Sequence, residues 1–202
     1  MMISYIGPDG SGKSTAINYS VEFLERNKIS HKTLYPFNYF ILRKLINFFQ
    51  NNINLSSTVQ KKKNLVTKNK NVVIKIFWPI FALIDSWLWY FYVTKINSKD
   101  ILLCDRYFHD LSTAFDEFNL AFSFLNKFYI KLIPKPDIVI LLSGEPLELQ
   151  KRELGDCHEI DFFERQVKRY QDLSLKDPSI VVLKTNFFKE DIERIFKDIY
   201  GT

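Results

Sequence analysis

The chain has 202 residues, enough for one α/β domain with a full hydrophobic core. Its hydrophobic share of 47% and charged share of 25% are those of a globular protein, which argues against a disordered chain. The two cysteines, Cys104 and Cys157, form no CxxC pair and have no metal-ligand spacing, so nothing indicates a disulfide framework. Since no charged leader precedes the first apolar run, we expect a cytoplasmic protein.

The net charge of +5 conceals an uneven distribution along the chain. Residues 28–99 carry 12 Lys and Arg against one acid, Asp85, a balance of +11, and the remainder carries 16 against 22, a balance of −6. Such a basic region fits a solvated lysine-rich surface, an anionic acceptor or an anionic membrane surface. No recognised nucleic-acid motif appears, so we expect no nucleic-acid partner.

Short apolar runs alternate with helical patterns along the chain. The runs predict five strands, at residues 2–6, 32–35, 101–104, 137–142 and 180–183. Helices are predicted near residues 13–27, 110–130, 146–154, 159–174 and 188–200, with residues 38–99 mostly helical but broken near 51–55 and 61–71. This alternation predicts an α/β fold in three layers, a five-stranded parallel sheet flanked by helices, in a single domain over residues 1–202.

The segment 76–93 is apolar and aromatic and is nearly long enough to span a bilayer. Asp85 lies at its middle, where an acid costs about 2.5–3.5 kcal/mol on membrane insertion scales, and Pro79 and Ser86 weaken a membrane span further. We therefore expect a buried core helix, with a helix lying against a membrane or an apolar substrate as the alternative. The aromatic content also makes a homodimer plausible.

The clearest motif is a glycine loop of the form G-x-x-x-x-G-K-[ST], at Gly7, Gly12, Lys13 and Ser14. It follows a predicted strand and opens a predicted helix, as a phosphate-binding loop requires. Glycines let backbone N–H groups surround a phosphate, the lysine reaches the β- and γ-phosphates, and the serine hydroxyl binds Mg²⁺. We predict ATP and Mg²⁺ binding by Asp9, Gly10, Ser11, Gly12, Lys13, Ser14 and Thr15; the alternative is a glycine turn without nucleotide.

Four segments, in order, resemble the thymidylate kinase family of P-loop nucleoside-monophosphate kinases. They are Gly7-Pro8-Asp9-Gly10; Asp105-Arg106-Tyr107 with residues 110–115; residues 136–142 with 145–148 and Lys151-Arg152; and residues 161–165 with Arg169-Tyr170 and 177–180. The resemblance covers residues 1–35 and 100–200. It implies the P-loop kinase fold and transfer of the ATP γ-phosphate to a small-molecule acceptor.

The resemblance also implies roles for individual residues. Asp105 would lie beside Mg²⁺ and the acceptor phosphate, and Arg106 would stabilise charge on the transferred phosphoryl group. Asp9 would reach the acceptor sugar. Arg152 is the best remaining cation of a short lid over residues 152–161. The alternatives are a surface ion pair for Asp105 and Arg106 and a turn-forming acid for Asp9.

The acceptor-binding region, residues 36–99 with the strand before it, departs from the family pattern. Thr33-Leu34-Tyr35-Pro36 replaces T-R-E-P, residues 84–88 replace A-D-R-A-Q without the arginine, and the lid lacks its usual arginines. The donor half is kept while the acceptor half is rebuilt. Three functions stay open: a kinase for a nucleoside monophosphate such as dTMP, a kinase for a sugar or lipid-linked alcohol, and a non-enzymatic nucleotide-binding module.

Overall fold

The computed structural model describes residues 1–36, 72–97, 99–153, 159–184 and 188–200. Within them the strands are β1 (Met2–Ile6), β2 (His31–Leu34), β3 (Ile101–Asp105), β4 (Ile138–Ser143) and β5 (Ile180–Lys184). The helices are α1 (Lys13–Arg26), α2 (Val72–Ile96), α3 (His109–Phe118), α4 (Ser123–Leu132), α5 (Pro146–Arg152), α6 (Ile160–Lys176) and α7 (Phe188–Tyr200). The predictions for residues 38–71 and for 154–158 of the lid lie outside the described residues.

All five strands are parallel and lie in the order β2-β3-β1-β4-β5, which confirms the predicted sheet. Strand β1 is central, and Ser4 is in register with Cys104 of β3 and Val139 of β4. Strands β2 and β3 lie on one side of β1, and β4 and β5 lie on the other. The strand order therefore reverses at the carboxyl end of β1, which is a topological switch point. Ligands of open α/β sheets bind at such a point.

The helices cover both faces of the sheet, as a parallel sheet requires. Ile3 and Tyr5 point from one face into a core shared with α1 and α7, where the rings of Phe23 and Phe196 stack with centroids 5.2 Å apart. The alternate residues of β1 point to the other face and are also buried, including Ile6. The three-layer fold predicted from the sequence is therefore confirmed.

The chain divides into two compact units. The first contains the whole sheet with α1, α5, α6 and α7, and the second contains α2, α4 and α3 from Leu111 onward. In the second, the single helix predicted for residues 110–130 is wrong: α3 ends at Phe118, and Asn119 adopts a left-handed conformation with φ +52° before α4 begins. Asparagine tolerates this conformation, which ends helices. The single domain predicted from the sequence stays a prediction.

Helix α2 differs from the buried core helix predicted for residues 76–93. One side, with Ala82, Asp85, Trp89 and Val93, is buried, but only 33% of an 18-residue window within the segment from Lys75 to Ile96 is buried. That segment is long and apolar enough to cross a membrane by length and composition, a test that core helices of soluble proteins also pass. The prediction is thus right for one side of the helix and wrong for the other.

Candidate active site

The glycine loop follows β1 and packs tightly against its neighbours in the first unit. Gly7 and Gly10 have φ of +147° and +76°. A Cβ atom on Gly7 would lie 2.5 Å from the carbonyl oxygen of Leu142, and one on Gly10 would lie 2.7 Å from that of Leu149. Both positions therefore require glycine, because a side chain would meet backbone atoms and would favour a different φ. The loop is held against the end of β4 and the middle of α5.

Lys13, the first residue of α1, is only 8% exposed. Its Nζ donates to the carbonyl oxygens of Gly7 at 2.9 Å and Pro8 at 2.7 Å, so the ammonium group lies across the loop. Burial lowers the pKa of Lys13, and the nearby Arg106 guanidinium lowers it further. An anion beside the loop would relieve both effects, because it would supply a counter-charge to a desolvated cation.

The hydroxyl groups of the loop fit a phosphate ligand. The Ser11 Oγ is buried and has no hydrogen-bond partner among the described residues. Ser14 and Thr15, in the first turn of α1, are exposed. A buried hydroxyl without a partner is rare in proteins and is costly. The loop therefore combines a buried cation, an unsatisfied hydroxyl and a helix N-terminus, which together suit a phosphate group.

Asp9 joins the loop to the end of β3. Its Oδ1 accepts a hydrogen bond from Nη2 of Arg106 and lies 4.0 Å from Nζ of Lys13, and its backbone N–H donates to the side chain of Gln166 on α6 at 3.1 Å. Burial alone would raise the pKa of Asp9, but the ion pair with Arg106 and the charge of Lys13 outweigh it and lower the pKa. Asp9 is thus an ionised bridge between two cations.

Arg106 is positioned by its backbone as well as by its side chain. It follows β3 with a φ of +70°, and its N–H donates to the Tyr5 carbonyl oxygen at 3.0 Å. A non-glycine residue in this region costs about 1–2 kcal/mol, so the surrounding contacts hold it there. Asp110 and Asp9 outweigh the effect of burial and raise the pKa of Arg106, which stays charged. The turn directs a permanent cation toward the loop.

A buried hydrogen-bonded pair, Asp110 and Tyr170, completes the cluster. Oδ1 of Asp110 accepts from the Tyr170 hydroxyl at 2.5 Å, and Oδ2 accepts from the backbone N–H of Tyr107 at 3.1 Å. Burial raises the pKa of Asp110, although the Tyr170 hydrogen bond and the charges of Arg106 and Lys13 oppose it. The sequence predicted no role for either residue, because their 60-residue separation leaves no spacing signal.

The other predicted site residues are placed as follows. Asp105 is the last residue of β3 and is partly buried, and its charge acts on Lys13. Arg152 ends α5, and its side chain, 42% exposed, lies 3.7 Å from Glu148 one turn earlier on the same helix. Among the described residues no group of three or more His, Cys, Asp or Glu side chains forms a metal site. The assignment of Ser14 and Asp105 as Mg²⁺ ligands stays a prediction.

A phosphate-binding loop at the switch point of a 2-3-1-4-5 parallel sheet, with an Asp-Arg pair at the end of β3, defines a P-loop kinase. The thymidylate kinase family model matches residues 7–195, and the chain therefore belongs to the thymidylate kinase family. It is an ATP-dependent kinase, as the resemblance implied, and the alternative of a non-enzymatic module is set aside. No curated protein matches the chain.

Solved structures with the same fold include two nucleotide-metabolising kinases. Thymidylate kinase from Candida albicans has 19% sequence identity and a TM-score of 0.61, with 99% of this chain and 91% of that chain covered. Deoxyadenosine kinase from M. mycoides, solved with dCMP and a flexible dCDP, has 15% identity and a TM-score of 0.55, with 100% of both chains covered. At these identities the similarity establishes the fold alone.

Proposed function

We propose that this kinase binds ATP–Mg²⁺ at the loop formed by residues 7–15 and transfers the γ-phosphoryl group to a nucleoside monophosphate such as dTMP. The observation that carries the proposal is the convergence of Lys13 and Arg106 on one oxygen of Asp9. Phosphoryl transfer depends on positioning and on positive charge around the phosphoryl oxygens. Family membership supports the same reaction.

Each residue of the cluster has a distinct task in this proposal. Lys13 binds the β- and γ-phosphates, and Arg106 stabilises the charge of the phosphoryl group in transfer. Ser14 and Asp105 would hold Mg²⁺, which when bound neutralises phosphate oxygens. Asp9 orients Arg106 through their ion pair and contacts the acceptor sugar.

The state of Asp9 bears on the type of acceptor. A hydroxyl acceptor must lose a proton during transfer, whereas a phosphate monoester is largely ionised at pH 7 because its second pKa is about 6. Asp9 has a lowered pKa and is paired with Arg106, which makes it a weak general base. Asp110 is buried and engaged by Tyr170. These two acids therefore suit an acceptor that is already anionic.

A second candidate acceptor lacks a phosphate group, such as a deoxynucleoside, a sugar or a lipid-linked alcohol. The observation in its favour is Leu34, which ends β2 where the family pattern has its acceptor-phosphate arginine. An acceptor without a phosphate needs no such cation. The fold is compatible with this class, because the M. mycoides protein of the same fold is named a deoxyadenosine kinase.

The test is an acceptor screen that follows ATP consumption with dTMP, other nucleoside monophosphates, deoxyadenosine, sugars and polyprenols. We expect the highest kcat/KM for a nucleoside monophosphate, and a kcat lower by about 10²–10³ with Lys13→Ala under the same conditions. A higher kcat/KM for any hydroxyl acceptor would instead support the second candidate. The homodimer and the cytoplasmic location suggested by the sequence stay predictions. Size measurements on the purified protein test the first, and cell fractionation tests the second.

A further inference from the structure

Helix α6 carries two polar side chains, Gln166 and Tyr170, one turn apart on the same face. Oε1 of Gln166 accepts a hydrogen bond from the backbone N–H of Asp9 at 3.1 Å. The hydroxyl of Tyr170 donates to Oδ1 of Asp110 at 2.5 Å. One face of α6 therefore binds two acids that belong to different segments, the glycine loop and the start of α3.

The same two acids act on Arg106. Nη2 of Arg106 donates to Oδ1 of Asp9. Burial would lower the pKa of Arg106, but the charges of Asp110 and Asp9 outweigh it and raise the pKa. Besides the ion pair with Arg106, a side-chain hydrogen bond with Gln166 helps to lower the pKa of Asp9 against the effect of burial. Helix α6 is thus linked to Arg106 through both acids.

Helix α6 is itself fixed against the elements that carry these acids. Its buried Phe163 and Val167 pack with Leu149 of α5, the helix that touches the glycine loop. At the end of α6, Oδ2 of Asp177 lies 3.6 Å from Nε2 of His109, the first residue of α3. All of these residues belong to the first unit. Side chains on a helix held in this way can fix the geometry of a site precisely.

Arg106 depends on such support. Its φ of +70° lies in the left-handed region, which disfavours a residue with a side chain. Its side chain is 28% exposed and has several rotatable bonds, so contacts are needed to keep one orientation. A misplacement of about 1 Å in a group that acts on the reacting atoms can lower the rate about 100-fold. Contacts that hold the guanidinium in place therefore contribute to the rate.

We propose that Gln166 and Tyr170 are positioning residues for phosphoryl transfer. Through Asp9 and Asp110 they keep the guanidinium of Arg106 directed toward the glycine loop. The proposal rests on the function proposed above, in which Arg106 stabilises the phosphoryl group in transfer. Because the two residues act through Arg106, their loss should lower kcat and leave the affinity for ATP nearly unchanged.

The test combines Gln166→Leu and Tyr170→Phe, each in turn, with Arg106→Ala in double-mutant cycles. Each single variant should lower kcat about tenfold, while Kd for ATP stays within about threefold. In the Arg106→Ala background the same changes should lower the remaining rate less than about twofold, because the residue through which they act is gone. The rate measured is ATP consumption with saturating dTMP, or the slower transfer to water if dTMP is not accepted.

The matched control is Gln171→Leu, the same substitution at an exposed position of α6, which should keep the kcat of the wild type. Thermal unfolding and ATP titration establish that each variant folds; if Tyr170→Phe does not, the Gln166→Leu cycle decides. Wild-type kcat in either folded variant, or an undiminished loss in the Arg106→Ala background, overturns this proposal alone. Wild-type kcat in Arg106→Ala overturns the proposed role of Arg106 as well.

Discussion

At the scale of single residues, charges of alternating sign surround Asp9. Lys13 and Arg106 both lie near its carboxylate. The charge of Asp110, which accepts a hydrogen bond from Tyr170, acts in turn on Arg106. Removing one member leaves the charges of its buried or partly buried neighbours unbalanced, which costs more than the lost contact itself. For variants at these positions, both the activity and the free energy of unfolding should therefore be measured.

Lys13→Ala should lower turnover severely. The loss of a preorganised cation at the phosphates should cost about 3–4 kcal/mol of transition-state stabilisation, which is about 10²–10³ in kcat. The measurement is steady-state kinetics with saturating ATP, and Lys168→Ala on α6 is the control for an exposed lysine. Near-wild-type transfer by Lys13→Ala would contradict the assignment of the loop.

Asp105→Asn and Arg106→Ala should each lower kcat at least about 100-fold while ATP affinity stays within a few-fold. The reason is that both residues lie at the end of β3 and are proposed to act on the transferred group. Arg106→Lys is the matched variant, because it keeps the charge and loses the planar fork. Kinetics and nucleotide titration provide the check; if the variants lose ATP binding together with their fold, the pair is structural.

Tyr170→Phe should destabilise the protein increasingly as the pH rises. The folded-state pKa of Asp110 is raised, so its contribution to stability is full below the unfolded pKa of about 3.9 and declines as the pH rises through the folded pKa. The Tyr170 hydroxyl limits that decline, because it lowers the pKa of Asp110. The variant should lose about 1–3 kcal/mol near pH 8 and less near pH 4.

Denaturant unfolding of wild type and Tyr170→Phe at several pH values measures this difference. The control is Tyr19→Phe, since Tyr19 is partly buried on α1 and borders the main core rather than the Asp110 cluster. A stability difference that is constant with pH would show that the hydroxyl acts independently of the ionisation of Asp110.

At the scale of elements, the loop after β1 depends on its contact with α5. Gly10→Ala places a methyl group 2.7 Å from the Leu149 carbonyl oxygen at a φ of +76°. We expect a loss of about 1–2 kcal/mol in the free energy of unfolding from the backbone conformation and weaker ATP binding from the displaced loop. Calorimetric titration and thermal unfolding measure both effects.

The control for this variant is Gly144→Ala. Gly144 lies between β4 and α5 and is not among the glycines with positive φ. It should keep ATP affinity and stability close to wild type. Equal effects at the two positions would show that the α5 contact does not shape the loop.

At the scale of the whole molecule, we expect the acceptor half to decide which substrate is used. Even if dTMP is the best acceptor in the screen, we expect its kcat/KM to be low, because Leu34 and Ser86 stand where the family pattern has arginines. Each missing charged hydrogen bond should cost about 1.5–3 kcal/mol, and two should weaken acceptor binding by about two to four decades. Lysines from the basic region would recover part of this as point charges.

The measurement is kcat/KM for dTMP with saturating ATP. A value above about 10⁵ M⁻¹s⁻¹, within the normal range of enzymes, would contradict the prediction and show that other residues bind the acceptor phosphate. The restoring variant Leu34→Arg provides a positive control, since it should raise kcat/KM for dTMP relative to hydroxyl acceptors.

The sequence by itself determined the local features of this protein. Apolar runs of four to six residues located all five strands, and the spacing of Gly7, Gly12, Lys13 and Ser14 identified the phosphate-binding loop, because both signals lie within a few consecutive residues. The break at Asn119 escaped prediction, since the apolar pattern continues from α3 into α4 and a single left-handed residue leaves no periodic signal.

Only the tertiary structure decided which distant residues meet and which faces stay exposed. The pairing of Asp110 with Tyr170 and the contact of Asp9 with Gln166 join residues 60 and 157 positions apart, and no local pattern encodes such contacts. The composition of α2 is the same whether its apolar side chains pack or face solvent. Only the tertiary structure therefore shows which side of the helix is exposed. Burial and pairing depend on neighbours brought by the whole chain, and these neighbours also set the pKa values of the site.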